Sequence, residues 1–146
     1  MSINDQDFSQ DQYFITITDP FNNTTVCKIT TYEHKLMRDH PDLCATEDFE
    51  IILAQTIQNP DSIQRRGAGT VNPNQYRYNF YKELGFELEG AKYGEENKFV
   101  KAVVEYSIEI QSTNENLGDV VTVHLLNEVN YKKDVRKNVE ILYKTK

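Results

Sequence analysis

The sequence is poor in cysteine and has no tryptophan and no long apolar run. Its only cysteines, Cys27 and Cys44, belong to no CxxC motif and have no third partner, so neither a disulfide scaffold nor a zinc site is predicted. No apolar stretch approaches the roughly 18 residues of a membrane span. Residues 1–12 contain no basic residue and no apolar block, unlike a secretory signal peptide. These absences favour a cytoplasmic protein with free thiols.

The chain also has few basic residues, and they are unevenly placed. The formal net charge is −7, but residues 131–146 hold six basic and two acidic residues, which leaves −11 on residues 1–130. An acidic body repels phosphate backbones at long range, so nucleic-acid binding would require a locally basic cleft. An acidic body is also what a protein that mimics nucleic acid would need.

The first half of the chain predicts a hairpin and two helices. Tyr13–Thr18 and residues 24–30 are alternating, β-branched runs separated by turn-forming residues, which is typical of a hairpin. Thr30 and Glu33 have the spacing of a capping box, so we expect a short helix to begin there. A second helix, capped by Thr46, shows apolar residues at helical spacing and ends before a proline.

The second half is typical of an antiparallel sheet. Strand patterns occupy residues 62–66, 76–84, 99–110 and 118–129. In the strand predicted over residues 99–110, alternation places Val100 and Ala102 on one face and Lys101 on the other. In the strand predicted over residues 118–129, alternation places Val120, Thr122 and His124 on the same face.

The predicted fold class is therefore α+β, with one domain over residues 13–146 after an acidic, flexible N-terminus over residues 1–12. The domain consists of an N-terminal hairpin, two helices and a curved antiparallel sheet of three to five strands. Residues 131–146 have apolar side chains at helical spacing, which predicts a basic, amphipathic C-terminal helix that covers part of the sheet.

The first predicted helix contains several side chains that could take part in catalysis. His34 and Arg38 are four residues apart and share a helical face, whereas His40 falls in a row with Tyr32 and Leu36 that is directed to the core. A histidine can move a proton near neutral pH, and a guanidinium group can hold a phosphate by two hydrogen bonds. This combination suits phosphodiester cleavage, although ordinary exposed or helix-end histidines have the same spacing.

Other chemistries lack their motifs. No pair of the three histidines has HxxxH or HExxH spacing, so no metal site is predicted. The chain has neither a GxxxxGK[ST] nor a GxGxxG loop, and nucleotide hydrolysis and cofactor binding are therefore not expected.

Two short motifs resemble a nuclease family. Residues 34–41 read HxxxRxHP, and Asn59-Pro60-Asp61 follows the second predicted helix. With the strand segments 80–82, 99–104 and 120–122, these motifs resemble the phage-associated branch of the barnase, EndoU, colicin and RelE-like nuclease superfold (BECR), over about residues 30–127. That family has two helices followed by a curved antiparallel sheet, and its members are regarded as metal-independent RNases, often toxins or mobile-element effectors.

The resemblance implies a site where helix meets sheet. The implied catalytic residues are His34, Arg38, His40, Lys101 and Thr122, and the candidate substrate-binding residues are Lys82, His124, Arg66 and Tyr81. A ribose 2′-hydroxyl would attack the adjacent phosphorus, with one group as base, another protonating the leaving oxygen, and Arg38 or Lys101 stabilising the phosphate.

Three hypotheses follow from the sequence. The first is an RNase that needs no metal or cofactor, has RNA as its partner, and is paired with a cognate inhibitor or other protein. The second is an acidic interaction or inhibitor protein that mimics nucleic acid. The third is a catalytically silent binding module with the nuclease fold.

Overall fold

The computed structural model of the protein describes residues 13–44, 48–65, 76–84, 98–106, 108–110, 116–137 and 140–144. Three predictions lie outside these residues: the acidic N-terminus over residues 1–12, the helix cap Thr46, and the substrate-binding candidate Arg66. No helix in the described ranges is long and apolar enough to cross a membrane.

Within the described residues, seven strands form one sheet, accompanied by four helical segments. The strands are β1 Tyr13–Thr18, β2 Thr24–Lys28, β3 Ser62–Arg65, β4 Tyr76–Glu83, β5 Phe99–Tyr106, β6 Leu117–Leu126 and β7 Glu140–Lys144. The segment α1 is continuous and consists of α-helix Ile29–Thr31, π-helix Tyr32–Leu36 and α-helix Met37–Asp39. The other helices are α2 Pro41–Cys44, α3 Phe49–Gln58 and α4 Glu128–Lys137.

The strands lie in the order β1-β2-β6-β5-β4-β3-β7. All neighbours are antiparallel except β2 and β6, which pair in parallel over residues 24–26 and 117–119. The predicted α+β class is confirmed, and the sheet is wider than the expected three to five strands. After its short pairing with β6, the chain enters α1, which contacts β6 further along. This path brings the end of α1 to the sheet.

The core lies on one face of the sheet, against α3. Val100, Ala102 and Val104 of β5 are fully buried there, as their alternation predicts. On β6, Thr122 pairs with Val103 but Val120 pairs with Val104, so an extra residue forms a bulge. The bulge reverses the alternation, and the prediction that Val120 shares the face of Thr122 is wrong, because Val120 is buried in the core.

The first helix begins differently from its prediction. Lys28 is the N-cap of α1, and no side chain forms a cap hydrogen bond. The capping box of Thr30 and Glu33 is therefore wrong, because β2 runs directly into the helix and Thr30 lies inside its first turn. Within the π-helical turn, the Met37 N–H donates to the Tyr32 carbonyl oxygen.

The C-terminal helix is confirmed over residues 131–137 and begins earlier, at Glu128, where the strand predicted to residue 129 is wrong. The helix predicted for the remainder of residues 131–146 is wrong over Glu140–Lys144. This segment is β7, which pairs with β3. An edge strand exposes unpaired backbone groups, and the run Ile141-Leu142-Tyr143 includes the β-branched and aromatic types that favour strands. Pairing with β3 therefore outweighs the helical spacing.

A buried carboxylate joins the hairpin turn to the far end of β5. Asp19, only 3% exposed, accepts hydrogen bonds at Oδ1 from the N–H groups of Phe21 (2.8 Å) and Asn23 (2.9 Å). Its Oδ2 accepts one from the Tyr106 hydroxyl at 2.7 Å. Asn23 Nδ2 donates in turn to the Ile110 carbonyl oxygen at 2.8 Å. The carboxylate thus connects segments that are distant in sequence.

Gly118 allows the Tyr106 ring to lie against β6. A Cβ atom at this position would lie 2.6 Å from Tyr106 Cε2 and 2.9 Å from Thr25 Oγ1. Burial, together with the Asp19 carboxylate, raises the pKa of Tyr106 above its usual value. The phenol therefore keeps its proton and remains the donor to Asp19.

We expect Asp19→Ala to destabilise the fold by about 3 kcal/mol, because several buried donors would lose their acceptor. The matched control is Asp39→Ala, which removes an exposed carboxylate whose partner is the neighbouring Arg38 and should cost less than about 1 kcal/mol. Urea unfolding followed by circular dichroism measures both values. Similar losses for the two variants would contradict the role of Asp19.

Candidate functional site

One row of polar side chains crosses three strands on the face opposite the core. Tyr81 of β4 pairs with Lys101 of β5, which in turn pairs with His124 of β6. Directly paired residues on neighbouring strands project to the same side. Tyr81 is fully buried, Lys101 is 8% exposed, and His124 is half-buried. The sheet therefore presents a phenol, an ammonium group and an imidazole side by side.

Asp134 of α4 binds the first two members of this row. Its Oδ2 lies 2.7 Å from Lys101 Nζ and accepts a 2.5 Å hydrogen bond from the Tyr81 hydroxyl. Asn79 Nδ2 supports the phenol with a 3.1 Å hydrogen bond. Burial alone would raise the pKa of Asp134, but Lys101 and Tyr81, with a further contribution from His124, hold it below its usual value. The carboxylate is therefore ionised beside the lysine.

Aromatic contacts hold α4 over the same row. The Tyr131 ring stacks on Phe99 with centroids 4.1 Å apart and planes 5° apart, and its edge meets Tyr81 at 5.6 Å. Because Tyr131 and Asp134 are three residues apart, they share one helical face. The helix begins after Asn127, whose Oδ1 accepts the Asn130 N–H at 2.8 Å as an N-cap.

His40 reaches the row from the end of α1. Its ring centroid lies 5.2 Å from that of His124, with the planes at 62°. The His40 backbone N–H donates to the Leu36 carbonyl oxygen at 2.8 Å, and its carbonyl oxygen accepts the Cys44 N–H at 2.9 Å. These bonds join α1 to α2 and set the position of the imidazole. The two histidines come from different elements and form one pair.

The half-buried position of His40 changes its protonation. Burial lowers the pKa of His40 below its usual value; Asp39 opposes this effect and Lys35 adds to it. The imidazole is therefore neutral at pH 7 and able to accept a proton. No group of three histidine, cysteine or acidic side chains in the described ranges could hold a metal ion. A neutral imidazole of this kind lies close to a second imidazole, that of His124.

The structure brings one predicted site residue at the end of α1 together with several on the sheet. His40, Tyr81, Lys101 and His124 form one cluster, and Thr122 lies two residues before His124 in the adjacent row, opposite Val103. Their catalytic and binding roles stay predictions.

His34 and Arg38 lie elsewhere. Both are exposed on α1, and Arg38, with 71% of its side chain exposed, pairs with the adjacent Asp39 at 3.0 Å. Across the described part of the chain, neither residue has a hydrogen bond or ion pair with the sheet. The helix therefore contributes His40 to the cluster, rather than the pair His34 and Arg38 that its spacing favours.

Lys82 is on the other side of β4. It pairs with Val100, so alternation separates it from Lys101. Its Nζ donates to the Asn59 carbonyl oxygen at 2.9 Å and lies 4.0 Å from the Asp61 carboxylate. Lys82 thus fastens the end of α3 to the sheet, and this substrate-binding candidate lies on the side of β4 opposite to Lys101.

Sequence reasoning missed Asp134 and Tyr131. The sequence presents both inside a basic, amphipathic segment, where an isolated acidic residue reads as part of a solvated face. The signal in the sequence is that an aromatic and an acidic residue are three positions apart and so share a helical face. It identifies no partner, because Lys101 and Phe99 lie on a strand distant in sequence.

We expect the free energy of unfolding of His40→Gln to fall less on acidification than that of the unmodified protein. The unfolded chain binds a proton at His40 near pH 6.5 and the folded protein only at lower pH, so stability falls as pH drops from about 7 to 5. Urea midpoints across this range measure the slope. The control is His34→Gln, which removes an exposed histidine of α1. If this variant changed the pH dependence of stability as much as His40→Gln does, the effect could not be assigned to His40.

Comparisons with known proteins identify no family for this chain. No family model matches it, no curated protein matches it, and no solved structure matches its fold. Functional inference therefore rests on the cluster of His40, Tyr81, Lys101, His124 and Asp134.

Proposed function

We propose that the protein is a metal-independent, endoribonuclease-like domain of the cytoplasm that cleaves RNA by attack of the ribose 2′-hydroxyl on the adjacent phosphorus. The observation that carries the proposal is the contact between His40 and His124, with Lys101 directly opposite His124 in the sheet. Two imidazoles supply the base and the acid that this reaction requires, and a lysine stabilises developing negative charge.

Each group has a role that its surroundings favour. His40, kept neutral by burial, accepts the proton of the 2′-hydroxyl as the O2′–P bond forms. His124 protonates the leaving 5′-oxygen as the P–O5′ bond breaks. Lys101 stabilises the pentacoordinate phosphorus, and the Thr122 hydroxyl is a donor for its oxygens. The products are a 2′,3′-cyclic phosphate and a 5′-hydroxyl.

Local charge supports RNA as the substrate despite the acidic body. The helix α4 lies over the cluster and exposes Lys132, Lys133 and Arg136. Lys132 pairs with Glu128, so Lys133 and Arg136 supply positive charge on the helix whose Asp134 binds the row of Lys101 and His124. Contacts with the RNA backbone depend on such local positive charge. The resemblance to nucleases of toxins and mobile elements extends the proposal to an effector role.

The carboxylates of the described residues argue against a nucleic-acid mimic. Such a mimic needs a continuous band of free negative groups. Here eight carboxylates form ion pairs with the protein's own cations: Asp39, Asp61, Glu83, Glu105, Glu109, Asp119, Glu128 and Asp134. The acidic composition is thus largely neutralised locally in this part of the chain.

We expect His40→Ala and His124→Ala each to reduce RNA cleavage about 10²- to 10⁴-fold, the usual contribution of a general acid or base. Lys101→Gln should also reduce the rate, since it removes the cation beside His124. His34→Ala and Arg38→Ala are matched controls on the exposed side of α1 and should retain activity. Labelled RNA is incubated with each variant in EDTA, and the product ends are analysed.

The same assay, combined with a gel-shift measurement of RNA binding, separates the alternatives. Loss of activity in His34→Ala and Arg38→Ala, with His40→Ala unaffected, would contradict the proposed cluster. A folded protein that binds RNA without cleaving it would be a catalytically silent binding module. A protein that neither binds nor cleaves RNA would contradict both readings.

A further inference from the structure

The ammonium group of Lys101 is already neutralised from within the chain. It lies in the sheet with 8% of its surface exposed, and Asp134 Oδ2 is 2.7 Å away. The Tyr81 hydroxyl donates to the same oxygen, and His124 occupies the next position of the row. A lysine and a phenol thus converge on a single anionic group, and an imidazole stands beside them.

The same helix places an aromatic ring next to this anion. Tyr131 stacks face to face on Phe99, which lies two residues before Lys101 and on the same side of β5. Because Tyr131 and Asp134 are three residues apart on α4, the ring of Tyr131 stacks on Phe99 while the carboxylate of Asp134 pairs with Lys101. A nucleotide presents the same two features, since its base stacks on aromatic rings and its phosphate pairs with cations.

We propose that the row formed by Tyr81, Lys101 and His124, together with Phe99, is a nucleotide-binding site, and that α4 is a built-in cover whose Tyr131 and Asp134 occupy the base and phosphate positions. This inference rests on the proposed function, because it concerns how a ribonucleotide enters the same cluster. A nucleotide binds by displacing α4, with its phosphate on Lys101 and its base on Phe99.

The energetics of Lys101 explain why the cover is needed. A buried ammonium group without a partner is strongly unfavourable. Asp134 satisfies Lys101 in the empty protein, and a phosphate satisfies it in the complex, so Lys101 is never left alone in either state. Carboxylate and phosphate oxygens accept the same short, charge-assisted hydrogen bonds. Exchange of one anion for the other therefore conserves the main interaction.

The packing of α4 is light enough for displacement. None of the side chains described over residues 128–136 is buried, and Val129 is exposed. The described contacts between this helix and the row include those of Tyr131 and Asp134, the two residues that a nucleotide would replace. Elements with few buried apolar contacts open at low free-energy cost. Asn127 is the single residue between β6 and the helix.

The test compares binding of 3′-adenosine monophosphate to the protein and to Asp134→Asn by calorimetry. We expect the variant to bind about tenfold more tightly, because the internal competitor for Lys101 is weakened. The control is Glu128→Gln, which removes the same charge from the same helix but breaks an exposed pair with Lys132. Its affinity should match that of the unmodified protein. Lys101→Gln in the Asp134→Asn background should abolish the gain.

Hydrogen exchange of the unmodified protein tests displacement without any substitution. Saturating 3′-adenosine monophosphate should speed amide exchange over residues 131–136 and leave α3 unchanged. The proposal requires both results. It is overturned if the nucleotide leaves α4 unchanged or protects it, or if Asp134→Asn binds no more tightly than Glu128→Gln.

These outcomes are separate from those of the catalytic proposal. Tighter nucleotide binding by Asp134→Asn without RNA cleavage by any variant would support the covered site and contradict the RNase. RNA cleavage that depends on His40 and His124, without any gain in Asp134→Asn, would support the RNase and overturn the cover.

Discussion

The ion pair between Lys101 and Asp134 is the constraint on which the arrangement of the candidate site depends. A buried ammonium group requires a negative partner, and that partner comes from α4 rather than from the sheet. The requirement places α4 over β4 and β5, and Tyr131 then meets Phe99 on the same helical face. Without this pair, the helix would lose the charged contact that anchors it to β5.

The sequence predicts the features that depend on local patterns. The hairpin, the two helices and the faces of β5 follow from alternation and helical spacing over a few neighbouring residues, and the structure contains them. Features that depend on distant partners were not predictable. The edge of β3 recruits β7, the bulge at Val121 depends on the pairing of β6 with β5, and the contact between His40 and His124 depends on where β2 leaves the sheet.

The acidic composition is compatible with a site for RNA because electrostatic interactions are local under physiological conditions. Interactions between exposed charges are screened beyond about 10 Å at 0.1 M salt. Most carboxylates of the described residues are paired with nearby cations, while Lys133 and Arg136 stand exposed on the helix next to the histidines. Net charge therefore bears on solubility and on the rate of encounter, and side-chain placement decides what the cluster can bind.

β5 joins a closely packed end of the sheet to the candidate site. Tyr106 at one end is held by Asp19 and by the close approach of Gly118, whereas Phe99 and Lys101 at the other end contact α4. The backbone of this strand is paired with β4 on one side and with β6 on the other, so its place in the sheet does not depend on α4. The proposed exchange of a cover needs this combination of a strand held by its neighbours and a helix that contacts its exchangeable side chains.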